Sequence, residues 1–162
     1  MGEYLRPACA ILLPHAGGFL CGYLTHKELK TWFKKLNEPS FAPPDWVFPS
    51  ATFTSYCCMG YGSYLVWRDC GGFEGGGVLP LAIYATSLAL TWTHPPLLCK
   101  TKNLGLGVVS MLSVLGARVA TAVMFKNVNS TAGYLMLPGL GLVGYATFLS
   151  YSRWKNNRTR RD

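Results

Sequence analysis

The stretch NEPSFAPPDWVFPS, residues 37–50, decides how the chain is read. Its four prolines and two serines mark a loop, yet it runs straight into an apolar segment ending at Trp67. A helix entrance at a membrane surface reconciles the two. Pro43 and Pro44 suit a first helical turn, where their missing N–H groups would have had no partner. Asp45 suits the positive end of the helix dipole, and Trp46 suits interface depth, where an amphipathic ring is favoured. Pro49 falls near enough to the start to cost little, and is placed to kink the helix over a cavity.

Outward from this entrance, charge divides the chain. Half of the 162 residues are apolar and only 14% are charged, against roughly 25% in an ordinary soluble domain. Segments 7–26, 46–67, 75–99 and 132–152 contain no Asp, Glu, Lys or Arg, and 103–125 contains only Arg118. A bilayer core of about 30 Å needs ~20 helical residues. Buried helices of a soluble bundle would each need a polar face, and none is sustained here. The expectation is an all-α membrane protein, a single domain over residues 1–162. Its five transmembrane helices cover about 7–26, 46–67, 77–99, 103–125 and 132–152, followed by a basic tail at 153–162. The first segment is read as a span rather than a signal peptide, because Pro14-His15 interrupts it and no cleavage site follows.

The net charge of +8 is a topology signal. Eleven of the 15 basic residues fall in the first loop, the third loop and the tail; Arg6, Arg68 and Lys126 fall on the other side. The positive-inside rule puts the tail in the cytoplasm and brings its cations against anionic membrane lipids. A nucleic-acid partner would need a basic face on a soluble fold, and none is expected. The loop Lys27–Ala42 mixes apolar residues with four lysines, which suits a short interfacial helix. Gly17, Gly18 and Gly22, and the weaker Gly116-x-x-x-Ala120, permit close helix approach. The glycine-rich run at 71–77 lacks the Lys-Ser/Thr of a phosphate loop and reads as a turn. Ser130 or Thr131 is expected to cap the fifth span.

FAPPDWVFPS, MGYGSYLVWRDCGGF and LALTWTHPPL, at these separations among five spans, resemble the translocator protein family (peripheral benzodiazepine receptor, tryptophan-rich sensory protein) from about Ile11 to Lys155. That resemblance implies a five-helix membrane bundle that binds cholesterol, porphyrins and aromatic drugs. Trp32, Trp46, Trp67, Trp92 and Trp154 stand at family tryptophan positions. Thr52, His94, Leu106 and Leu142 stand where further tryptophans often occur. The segments ILLPHAGG and NLGL look more like the second vertebrate paralogue, implying cholesterol handling in the endoplasmic reticulum and plasma membrane. The alternative is a drug-binding form in the mitochondrial outer membrane.

Candidate sites follow. LSYSRWK contains Leu149, Tyr151, Arg153 and Lys155, an aliphatic–tyrosine–cation pattern proposed for sterols. Alone it better describes an ordinary interfacial anchor at a helix end; the resemblance reverses that, because the family places its cholesterol motif here. The resemblance also implies a ligand cavity at Gly22, Phe48, Ala51, Trp92, His94, Leu106, Val109 and Ala146. His15 and His94 each neighbour a proline, so each is either functional or bonded to a freed carbonyl. Arg118 either snorkels to the interface beyond Lys126, the favoured reading, or faces the cavity and meets a carboxylate ligand such as a porphyrin propionate. The spans hold no carboxylate pair or catalytic triad. The six cysteines lack metal spacing. No catalytic residue, metal or cofactor is expected, and the function implied is sterol binding, transport and redistribution rather than catalysis. Protoporphyrin or another haem precursor is the alternative ligand, with porphyrin degradation the enzymatic alternative and self-association a further expectation.

Overall fold

The computed structural model describes residues 2–158, with side chains from Leu5 onward. Five long helices account for most of them: α1 (Gly2–Thr31), α2 (Val47–Asp69), α3 (Val78–Thr101), α4 (Leu104–Val128) and α6 (Leu137–Arg158). A short α5 (Ser130–Leu135) leads into α6, and there is no strand among the described residues. The expected five spans each fall on one long helix, the fifth including α5. Three of these segments, Leu5–Lys35, Leu104–Val128 and Ser130–Arg158, are long and apolar enough to cross a membrane by length and composition alone. In α2 and α3 serines, threonines, glycines and prolines dilute the hydropathy.

The helices form a closed ring. α1 packs on α2 and α3, α3 on α4, α4 on α6, and α5 and α6 return to α2. Met59, Leu65, Val66, Tyr84, Leu88, Phe125 and Met136 fill its interior, all buried. The outside carries large apolar side chains instead: Leu12, Phe19 and Tyr23 on α1, and Val109, Leu112 and Val123 on α4, are all more than half exposed. Water would penalise such faces and lipid does not.

Local chemistry sets the joints. α1 continues unbroken through Pro7 and Pro14. Gly60 of α2 lies against the backbone of Ala10 and Ile11, where any Cβ would collide. Here the helices approach closely, as small residues permit. Gly17 and Gly18 instead make room for the rings of Trp92 and Tyr56. Gly22 and Gly116 face open space, so neither mediates a close helix contact. Between α2 and α3, Gly71, Gly72 and Gly76 adopt φ of +72°, +84° and +91°. Only glycine enters that region at no steric cost, so the expected turn forms.

Three sequence expectations change. Pro43 and Pro44 precede α2, and Pro49 is the proline in its first turn, since the helix begins at Val47. Its missing N–H is still one of those without a helical partner. The first loop forms no separate helix: α1 runs on to Thr31 and a 3₁₀ turn at Phe33–Lys35 follows. Asn129, rather than Ser130 or Thr131, caps α5, its side-chain oxygen accepting from the Ala132 N–H at 3.0 Å. Its extended backbone at φ −146° suits a cap, and Ser130 is already helical.

Candidate functional site

The end of the bundle that carries the first loop, the α3–α4 turn and the end of α6 is strapped shut by polar contacts. Asn157 Nδ2 donates to the Asn37 carbonyl at 3.3 Å, and its Oδ1 accepts from the Asn37 N–H at 3.1 Å. The Arg153 guanidinium meets Glu38 through contacts of 2.9–3.2 Å, and packs over the Phe33 ring at 4.5 Å. Tyr145 donates its hydroxyl to the Phe41 carbonyl at 2.8 Å, and Phe41 stacks on Phe148. Thus residues 37–41 lie along α6 and fix the loop beside its outer face.

The four residues of the expected sterol segment do not share one surface. Leu149 is fully buried inside the bundle. Tyr151 is 47% exposed and stacks obliquely on Trp154 at 5.8 Å. Lys155 is exposed, whereas Arg153 is committed to Glu38. Two residues apart on a helix, Leu149 and Tyr151 point roughly opposite ways. A different lane accompanies Tyr151: Gly141, Gly144, Phe148, Tyr151 and Lys155 follow at spacings of three and four and share one face. Gly141 and Gly144 have open space where a side chain would stand, and Phe148 is 57% exposed.

The expected cavity residues scatter. Gly22 is exposed, Leu106 and Val109 are 38% and 59% exposed, and Phe48 stacks on Tyr145. Ala51 and Ala146 are half-buried. The two histidines take different partners. His94 Nδ1 meets Ser110 Oγ at 2.7 Å, tying α3 to α4. His15 Nδ1 meets the Ile11 carbonyl at 2.8 Å, a backbone partner, though Pro14 frees that of Ala10. Pro96 frees the Trp92 carbonyl, and Cys21 on α1 donates its thiol to that oxygen at 2.9 Å.

Trp92 alone of the expected cavity residues lines an apolar slot of about 640 Å³ between α1, α2 and α3. The slot runs from Trp67 and Phe73 at the glycine-loop end to Leu88 and Trp92, with Arg6 at its mouth above the Trp67 ring. Its α1 wall was not legible in the sequence, because helix pairing has no local signal. Arg118 corrects the snorkelling expectation. It is 1% exposed, at the centre of the ring. Its Nη2 donates to Thr91 Oγ1 at 2.9 Å, Nη1 meets Met59 Sδ, and Gly139 of α6 lies alongside. No side chain could reach the interface through this packing.

The TspO/MBR family profile matches residues 10–155. The chain is 39% identical to the Translocator protein of Bos taurus over 93% of its own length and 89% of that protein's. It is 39% identical to the Translocator protein of Homo sapiens, covering 90% and 86%. Against Translocator protein 2 of Canis lupus familiaris the identity is 34%, covering 93% and 88%. ILLPHAGG and NLGL point the sequence reading toward the second paralogue, whereas these whole-chain identities run the other way.

Proposed function

This chain belongs to the TspO/MBR family, and on that premise we propose that it binds cholesterol and takes part in its redistribution between membranes. The observation that carries this reading is the outer lane of α6. Two glycines leave a flat strip, Phe148 and Tyr151 offer rings beside it, and the Tyr151 hydroxyl stands one turn from Lys155. A rigid, flat-faced lipid with one hydroxyl matches that surface: rings against Gly141, Gly144 and Phe148, hydroxyl at Tyr151. Leu149 supports the lane from inside and does not touch the sterol.

The basic end faces the cytoplasm in this reading, on the charge division of 11 to 3. The protein acts by binding rather than catalysis. The endoplasmic reticulum assignment rests on the two short segments alone, and immunofluorescence against compartment markers decides it.

Photoactivatable cholesterol binding to folded variants tests the lane. Tyr151→Phe removes one hydrogen bond, a net loss of about 0.5–1.5 kcal/mol. Tyr151→Ser also removes the ring contact and weakens binding further. Lys155→Ala matters least, because an exposed cation is screened. If all three bind like the parent, α6 is only an interfacial anchor.

A further inference from the structure

The interior holds an excess of donors and a positive charge that no acidic side chain among the described residues neutralises. None of the seven acidic residues falls within the spans. Among the described residues, every ion pair lies at the ends of the helices and none involves Arg118. A guanidinium cannot shed its proton, and a charge held in low dielectric without a counter-charge is costly. The polar atoms around it repeat the imbalance. Arg118 Nε, Trp92 Nε1, Tyr84 Oη and Ser87 Oγ are all buried and reach no partner at full hydrogen-bond geometry among the described residues, although Trp92 Nε1 lies toward Tyr56 and Tyr84 Oη toward Ser63. The first two can only donate, and the two hydroxyls can donate as well. Such orphans are scarce inside membranes, where no water relieves them. The chemistry missing from this core is a negatively charged acceptor.

The slot reaches the same level. On α3, Leu81, Ala85, Leu88 and Trp92 line it. Ser87 and Thr91 lie on the adjoining face, at about 100° per residue, and Thr91 holds Arg118. Tyr84 stands on the border, lining the slot while only 4% exposed. The deep end of the slot, at Leu88 and Trp92, is therefore level with Thr91 and its arginine. From Leu81 to Trp92 the slot wall is roughly 16 Å long. Its volume of about 640 Å³ is ordinary for a small-molecule site.

We propose that the slot between α1, α2 and α3 binds an amphipathic monocarboxylate of medium chain length, with its carboxylate inward toward Trp92, Tyr84 and Arg118 and its apolar body extending toward Trp67. This ligand differs from the sterol in chemistry and position, and the site does not depend on the α6 lane. The acid enters from the bilayer beside α1, and movement of the Leu88 and Tyr84 side chains brings its head to the guanidinium.

Radiolabelled dodecanoate and methyl dodecanoate, tested on the purified full chain in detergent, separate charge from apolar partitioning. The acid is expected to bind at least tenfold more tightly than the ester. Arg118→Gln should bring the two within twofold, with folding checked by size exclusion and helical circular dichroism. Arg6→Gln should leave at least a fivefold preference, because Arg6 stands at the mouth. Equal binding of acid and ester to the parent chain overturns the proposal without recourse to any variant. So does a preference that survives Arg118→Gln, or one that vanishes in Arg6→Gln and so puts the carboxylate at the mouth.

Discussion

Arg153 and Arg118 sit on helices that pack together, α6 and α4, yet they meet opposite surroundings. Arg153 has a two-oxygen contact with Glu38, a ring beneath it, and water within reach. Arg118 has a hydroxyl, a thioether and no carboxylate, deep in the ring. An arginine near a helix end finds its acid locally, from a loop that can be drawn in. An arginine at mid-span finds only what other helices present, and at that depth these helices carry no acid. The same side chain therefore fastens the structure in one place and leaves it electrically incomplete in the other.

The strongest way to break the contrast is to remove the buried charge. Arg118→Met should raise the thermal stability of the ligand-free protein in detergent by about 1–4 kcal/mol, because a similar apolar volume replaces an unpaired ion. A lower melting temperature would mean that the contacts to Thr91 and Met59 outweigh the burial cost. A smaller effect is expected at the strap. Arg153→Ala should cost about 1 kcal/mol, a bidentate but partly wet pair, and speed proteolysis within residues 36–46. High salt should narrow the difference from the parent; unchanged cleavage would show that Asn157 and Tyr145 hold the loop alone.

The smallest effect concerns a third arginine, at the glycine-loop end. Arg68 donates to Asp69 at 2.8 Å, and Asn129 reaches the same carboxylate from the α4–α5 joint. These bonds, Arg68's foremost, hold the Asp69 carboxyl below its ordinary range. A lowered folded value contributes stability above the unfolded pKa, about 3.9, and loses it as pH falls through the folded value. Protection against hydrogen exchange around residues 70–77, corrected for the intrinsic pH dependence of exchange, should thus be steady from pH 7 to 5 and fall below about 4. Asp69→Asn should remove that pH step; an identical step in the variant would assign it elsewhere.

The spans were legible because a charge inside a bilayer costs so much that its absence is a signal in itself. The strong turn was legible for a similar reason, since three positive φ angles call for glycine. Facing was not legible. Nothing around Arg118 in the sequence says whether its side of α4 meets lipid or the ring, because that depends on which helices close around it. Leu149 fits its motif by spacing, yet the motif does not record that residues two apart diverge on a helix. The cap moved by one or two residues from Ser130 or Thr131 to Asn129, since all three side chains can cap and the backbone path chooses between them. The slot combines α1, α2 and α3, and no single stretch announces it.

The strap has a consequence for how the protein is made. Its contacts join residues 104 to 120 positions apart: Phe41 with Tyr145, Glu38 with Arg153, and Asn37 with Asn157. While a ribosome is still extending the chain, the first loop has nothing to dock against, because every one of those partners belongs to the last helix. Contacts so distant in sequence form late, after nearer pairings are in place. The loop thus remains open throughout synthesis and closes only on a finished polypeptide. A nascent chain stalled before α6 should expose residues 36–46 to a quality-control protease that the completed molecule escapes.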